Sequence, residues 1–310
     1  MATTVPKICS VILNIYDTPG LVDCLRSLDK AAYKNLEVIV VHNGPASSEL
    51  EKEARAASAK ISEVVFTGFN AGFAAGNNAG IKRALGSGAD YVLLLNDDTA
   101  VAPDFLDRLV AEAGKDPAIG MLGPRIFYFS EPGKIWFSGA RFDREACVFS
   151  FPGADEQESS YGHAEPEATD YVTGCALLVS RKLLEKAGAL DEKFFLYWED
   201  SDWGLRAAAA GFKRLMVPAA KIWHKVSASS GGTGSVLKAY YKTRSHLLFA
   251  ERHAPGAKGK ILRGIIRDAT WLLLKSAEPG KIRKAAARLL AVTHYYTGRT
   301  GPGPEWIGRS

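Results

Sequence analysis

Tyr91-Val92-Leu93-Leu94-Leu95-Asn96-Asp97-Asp98 joins a continuous apolar run to three polar residues at its carboxyl end. A strand that is apolar on both faces belongs in a parallel sheet covered by helices, because a strand with one wet face alternates apolar and polar residues. Outward from it, residues 10–13 form another buried strand. Thr18 and Pro19 then supply an N-cap and a first helical residue ahead of Leu21, Cys24, Leu25 and Leu28, which share one helical face. Residues 36–41 make a strand closed by His42-Asn43-Gly44, followed by a helix from Ser48 to about Lys60, and residues 63–66 make a third short strand. Residues 69–78 are a Gly/Asn-rich turn that leads into a helix ending near Gly86 or Gly88. This alternation predicts an α/β fold with a mainly parallel sheet flanked by helices. Ligands of such sheets bind beyond the carboxyl ends of the strands. Three polar clusters sit at such ends: His42-Asn43-Gly44, the segment from Phe69-Asn70, and Asn96-Asp97-Asp98.

Residues 133–168 have weak periodicity and read as a loop-rich insertion or edge hairpins. Order returns with a strand over 170–179, a helix from Arg181 to Ala187, and a helix from near Glu199 to Ala210 that stops at Gly211. Residues 213–217 and 221–223 read as two short strands, 227–235 as a flexible Ser/Gly segment, and 236–296 as two or three basic helices.

In 310 residues, 47% hydrophobic and 24% charged, the chain has the balance of a globular protein with a large core, which excludes disorder as its main state. Four cysteines without any CxxC pair are expected to be reduced. From residue 258 to residue 310 eleven Lys or Arg face Asp268, Glu278 and Glu305, which puts +8 in this tail and leaves −3 for the rest of a chain of net charge +5. No apolar run approaches the roughly 20 residues that cross a bilayer, and the strongest candidate, 261–274, is broken by Arg263, Arg267 and Asp268. The tail therefore reads as helices that pack on the rest with a solvated basic face, that mediate homo-oligomer formation, or that lie on an anionic membrane without spanning it. It shows no nucleic-acid motif, so nucleic acid is not an expected partner. Residues 1–7 lack the basic start and apolar core of a secretory signal, and a cytoplasmic location is expected.

Asp97 and Asp98 after a buried strand can hold Mg²⁺ or Mn²⁺, which neutralises a diphosphate; the alternative is a polar turn capping the next helix. Residues 194–203 pack Glu199, Asp200 and Asp202 among five aromatics. Aromatic faces suit sugar rings, and desolvation with neighbouring like charges raises a carboxylate toward the range of a general base. An acidic helix N-terminus with core aromatics would look similar. His224 ends a short strand and could complete a metal site begun by a distant carboxylate, or be an ordinary surface or core histidine.

The ordered segments VILNIYD, VIVVHNG, FNAGFAAGNNAGI, YVLLLNDDT, TGCALLVSR, FFLYWEDSDWGLRAAAAGF and IWHKVSASSGG resemble the family 2 glycosyltransferases of the GT-A fold, particularly the bacterial rhamnosyltransferase-like branch. The resemblance runs from about residue 8 to residue 249. It implies a Rossmann-like catalytic domain over 1–255 with a basic helical extension over 256–310. By it Asp98 and His224 are the metal ligands and Asp200 is the catalytic base. Asn14, Tyr16, His42, Asn70, Gly72, Phe73, Asn77, Asn78, Asn96 and Asp97 would line the donor site, and Gly174, Trp198, Glu199 and Trp203 the acceptor side. The implied reaction transfers a sugar, with inversion, from dTDP-L-rhamnose or a UDP-hexose to a hydroxyl of a polysaccharide or lipid-linked glycan. His42 stands where the family commonly has an Asp that accepts the N3 proton of uracil or thymine, and Asn96 replaces the first Asp of a strict DXD. A non-catalytic nucleotide-sugar-binding protein is one rival. A nucleotidyltransferase is another, although residues 14–20 carry no Lys or Arg for a triphosphate.

Overall fold

The structure is a computed structural model that describes residues 5–15, 18–226, 235–275, 277 and 280–308. Tyr16 and residues 227–234 of the expected Ser/Gly segment lie outside these. Strands β1 (Ile8–Asn14), β2 (Leu36–His42), β3 (Ile61–Phe66) and β4 (Tyr91–Asn96) pair in parallel in the order β3-β2-β1-β4. Helices α1 (Thr18–Asp29), α2 (Ser48–Ala57) and α3 (Gly72–Gly86) connect them. The α1 face carrying Leu21, Cys24, Leu25 and Leu28 is fully buried, as its spacing requires. Register sets Asn14 beside His42 and Leu13 beside Asn96, so the polar strand ends meet along one edge.

The other half of the sheet is mixed. After β5 (Thr99–Val101) and α4 (Phe105–Ala113) come β6 (Ile119–Tyr128), β7 (Ile135–Phe137), the hairpin β8 (Arg141–Asp143) and β9 (Val148–Ser150), α5 (Glu158–Tyr161) and β10 (Glu167–Ala168). Strand β11 (Ala176–Ser180), helix α6 (Arg181–Ala187), helix α7 (Glu199–Ala209) and strand β12 (Lys213–His224) follow. The order continues β4-β11-β6-β12-β10, with β11 antiparallel to both neighbours and β12 parallel to β6.

Three expectations change. The strand expected over 170–179 narrows to β11, because Gly174 spends its amide hydrogen on Asp200 instead of a neighbouring strand. The two short strands over 213–223 are one strand with a register shift between Val217 and Lys221, where Pro218 cannot donate to the ladder. Helix α3 begins at Gly72, inside the expected loop, so Asn77 and Asn78 are helical.

Helices α8 (Val236–His253), α9 (Lys258–Leu274), α10 (Lys281–Tyr296) and the short α11 (Glu305–Gly308) complete the chain. Helices α9 and α10 run antiparallel, with Lys258 Nζ 3.2 Å from the Tyr295 hydroxyl and Arg288 Nη1 3.1 Å from Asp268 Oδ2. All four cysteines are free and buried.

Fully buried Asp202 ties α7 to α8. Its Oδ1 accepts from His253 Nε2 at 2.8 Å and Arg252 Nη1 at 3.3 Å, and its Oδ2 accepts from Arg206 Nε at 2.7 Å. Burial alone would raise this carboxyl, but the hydrogen bonds from His253 and Arg206 and the charges of Arg206 and Arg252 outweigh it and hold its pKa below the usual value. The ionised form is thus favoured by folding, and its contribution is full above the unfolded pKa of about 3.9 and is lost as pH falls through the depressed native value. Asp202→Asn is expected to cost about 3–5 kcal/mol at pH 7 in urea unfolding, with the gap to the parent protein narrowing below pH 4. A gap under 1 kcal/mol at pH 7 would contradict this role.

Candidate active site at the strand ends

Asp98, in the turn between β4 and β5, meets His224 because β12 pairs with β5 and sets His224 opposite Thr99. Asp98 Oδ1 lies 3.0 Å from His224 Nε2, and both side chains are buried. Trp136 of β7 packs edge-on against the imidazole with ring centres 4.5 Å apart, which holds its plane. Burial disfavours a charged ring here, but Cys175 and Asp98 overcome it and lift the His224 pKa above the usual histidine range. Burial also pushes the Cys175 thiol up. A carboxylate oxygen and an imidazole nitrogen aimed at one another form a donor pair that suits a divalent cation whose remaining ligands are diphosphate oxygens. Among the described residues no three His, Cys, Asp or Glu side chains form a closed cage, so a cation here would need those substrate oxygens.

A second polar chain crosses the ends of β1, β2 and β4. Asn14 Nδ2 donates to Asp97 Oδ2 at 2.8 Å, and Asn14 Oδ1 lies 2.8 Å from His42 Nδ1. An amide oxygen only accepts, so the hydrogen sits on His42 Nδ1 and Nε2 is left as an acceptor. Burial lowers the His42 pKa, which keeps the ring neutral at pH 7. A Cβ on Gly44 would lie 2.8 Å from Nε2, so glycine at 44 leaves that nitrogen approachable.

Asp200 sits in the first turn of α7, partly exposed. Its Oδ2 accepts from Gly174 N at 3.0 Å, and its Oδ1 accepts from Ser201 N at 2.7 Å. Burial raises its pKa against these hydrogen bonds. The neighbouring Glu199 is pushed much further up by burial and by Asp200. Asp200 is the carboxyl of the pair whose charged form has hydrogen-bond donors, Gly174 N and Ser201 N. A Cβ on Gly174 would come within 2.9 Å of the Phe73 ring and 3.8 Å of Asp200 Cβ, which places these three residues together. Cys175, the residue after Gly174, accepts from Asn96 N at 2.9 Å through its carbonyl oxygen, which ties the segment that holds Asp200 to the strand end that carries Asp98.

The backbone ahead of α7 is unusual. Phe195, Tyr197 and Trp198 have φ of 60°, 66° and 72°, a region that costs a bulky residue about 1–3 kcal/mol. Helix α8 clamps this turn: the Ser245 hydroxyl lies 3.1 and 3.0 Å from the carbonyl oxygens of Phe194 and Leu196 and shares its hydrogen between them. Tyr241 stacks on Phe195 at 5.0 Å and His246 on Trp198 at 4.3 Å. From the other side, Phe73 N donates to Phe195 O at 2.6 Å.

The glycosyl transferase family 2 model matches residues 10–188, more than half of the chain. This protein belongs to that family. It is 27% identical over 283 residues to the N-acetylglucosaminyl-diphospho-decaprenol L-rhamnosyltransferase of Mycobacterium tuberculosis, covering 84% of this chain and 90% of that protein. It is 22% identical to the dTDP-rhamnosyl transferase RfbF of Shigella flexneri, covering 87% and 89%. Among solved structures it resembles the Pyrobaculum calidifontis mannosyltransferase PcManGT in complex with GDP-Man and Mn²⁺, with a TM-score of 0.56 and 17% identity over 99% of this chain and 79% of that one. It also resembles GalNAc-T7 with UDP, GalNAc and Mn²⁺, with a TM-score of 0.59 and 15% identity over 86% and 58%. These likenesses establish the GT-A fold. The enzyme is a rhamnosyltransferase-like family 2 glycosyltransferase.

Several residues expected to touch ligands in this glycosyltransferase do other work. Trp203 is fully buried in the core with its indole hydrogen on Gly188 O, so it cannot face an acceptor. Buried Asn77 donates to Phe73 O, while Asn78 brackets Leu190 and donates to Glu192. Gly72 is buried with φ of 89°, and a Cβ there would strike Phe195 at 2.6 Å; it is needed for packing. Asn14 is buried with its amide engaged by Asp97 and His42. Glu199 is buried, and burial and neighbouring Asp200 push its carboxyl well up. Asn70 is exposed, Phe73, Asn96, Asp97 and Trp198 are half-buried, Gly174 is buried against Asp200, and Tyr16 lies outside the described residues. Sequence reasoning passed over Asn43, whose amide holds Asn70, Ala71 and Gly72, and over Trp136, Tyr241 and Ser245. Only Asn43 had a visible signal, its place in a polar strand end.

Ser245→Ala leaves two carbonyl oxygens without their shared donor. We expect a loss of about 1–3 kcal/mol in stability and a fall in kcat with little change in donor Kd, measured by urea titration and steady-state kinetics. Parent-like kcat would show that the clamp does not position Asp200.

Proposed function

We propose that the enzyme is an inverting, divalent-metal-dependent transferase. It moves L-rhamnose from its dTDP donor, or a hexose from a UDP donor, to a hydroxyl of a lipid-linked glycan. The observation that carries this is that one short segment joins the two groups: Gly174 N donates to Asp200 at 3.0 Å, and the next residue's carbonyl, Cys175 O, accepts from Asn96 N at 2.9 Å, two residues before the Asp98 that meets His224. The rhamnosyl choice and the lipid-linked acceptor draw on the two rhamnosyltransferases, which this chain matches over most of their length.

Asp98 and His224 would hold Mg²⁺ or Mn²⁺, whose chemistry is to neutralise the charge on a departing diphosphate. Asp200 takes the proton of the acceptor hydroxyl as that oxygen attacks the anomeric carbon. The bond from this carbon to the diphosphate oxygen breaks on the opposite face, which inverts the configuration. His42 Nε2, fixed as an acceptor by Asn14, receives the imide hydrogen of a pyrimidine base.

A panel of sugar nucleotides with a lipid-linked acceptor tests the reading. The expected products are the nucleoside diphosphate and glycosylated acceptor, formed without pyrophosphate and abolished by EDTA. Asp200→Asn should lower turnover by about 10² to 10⁴-fold with donor affinity retained. Pyrophosphate release, or parent-like turnover in this variant, would overturn it.

His42 supplies a separate pH test. Its pKa is lowered by burial, so the accepting form persists to below the ordinary value of about 6.5 and disappears as pH falls through the depressed value. Calorimetric affinity for dTDP or UDP should be flat from pH 8 to 7 and weaken toward pH 5. Unchanged affinity at pH 5 removes the base-reading role.

A further inference from the structure

Helix α9 buries Ile261, Ile265, Ala269 and Leu272, and α10 buries Ala285, Ala287, Ala291 and His294. Two aliphatic residues that sequence alone offered to a membrane, Ile261 and Ile265, thus belong to the core. The outer faces are still not polar. Trp271 is 54% exposed and Leu274 75% exposed on α9, while Ile282 is 67% exposed on α10. Leu289 and Tyr296 follow Ile282 at seven-residue spacing and are also exposed, which continues one stripe along α10. Because the helices run antiparallel and are joined after Lys275, Trp271, Leu274 and Ile282 gather at the connecting end.

The hairpin is also rich in cations. Between residues 263 and 289 the chain has seven Lys or Arg and two carboxylates, Asp268 and Glu278. Arg267 has a side chain 82% exposed. Large apolar side chains beside long cationic ones are what an anionic bilayer surface accommodates: the apolar groups enter the acyl boundary and the cations stay at headgroup level. A two-fold contact with a second copy would instead set the same cations against each other. Among the described residues no helix is long and apolar enough to cross a membrane, so such contact is peripheral.

We propose that the α9–α10 hairpin docks the enzyme on an anionic membrane surface by inserting Trp271, Leu274 and Ile282 at its connecting end. This goes beyond the catalytic reading and does not use it, since vesicle binding needs neither donor nor acceptor.

The test is co-sedimentation of the full chain with phosphatidylcholine vesicles and with vesicles containing phosphatidylglycerol, at low and high salt. The parent should pellet with the anionic vesicles at low salt, and much less at high salt or with neutral vesicles. The double variant Leu274→Glu, Ile282→Glu should bind at least about tenfold more weakly with an unchanged melting temperature, because both side chains are exposed. The charge variant Arg267→Glu, Lys275→Glu should keep the apolar tip and lose the preference for anionic vesicles. Failure of the parent to pellet with anionic vesicles, or equal binding by parent and double variant, overturns the proposal. A parent dimer in light scattering that the double variant converts to monomer also overturns it, in favour of a second copy covering the tip.

Discussion

Three bulky residues with positive φ immediately before α7 cannot hold that conformation unaided, and the placement of Asp200 in the candidate site depends on their holding it. The turn at 195–198 aims the first turn of α7, and so Asp200, at Gly174. The restraint comes from outside the turn. The Phe73 amide of α3 pulls on one carbonyl, and Ser245, Tyr241 and His246 of α8 hold the other side. The helices that follow the sheet therefore act on the chemistry at its mouth. Strain of this kind persists only where the surroundings over-determine it, and here two distant helices do so.

Three carboxyls within four residues of α7 differ in state because their surroundings differ. Glu199 is pushed well up by burial and by neighbouring Asp200. Asp200 balances burial against hydrogen bonds from Gly174 and Ser201. Asp202, one step deeper, is fully buried yet held ionised by Arg206, Arg252 and His253. The positive end of the helix favours negative charge at all three, so the macrodipole cannot separate them. Burial and the donors each carboxyl meets do: Gly174 and Ser201 for Asp200, and Arg206 with Arg252 and His253 of α8 for Asp202. The same helix thus carries two carboxyls pushed up by burial and one held down by its cationic partners.

How much of this was legible beforehand follows from which forces act locally. The apolar runs of β1, β2 and β4 and the stripe of α1 report their own burial, and the register of parallel strands then brings their polar ends to one edge. Strand β6 escaped notice although nine of its ten residues are buried, because Gly120, Gly123 and Pro124 break its apolar run. Pro218 likewise made one bulged strand look like two.

By itself the sequence determined the α/β alternation, the placement of Asp97, Asp98, His42 and Asp200 at element ends, and the family, since each rests on residues close together in the chain. Only the tertiary structure decided that Asn14 orients His42, that Asn77 and Asn78 serve the framework, that Trp203 is core, and that Ile261 is buried while Leu274 is exposed. The physical reason is that a polar or apolar side chain has several possible partners. Which one it takes depends on packing between elements far apart in the chain, such as α3 with residues 190–195 and α8 with the turn before α7.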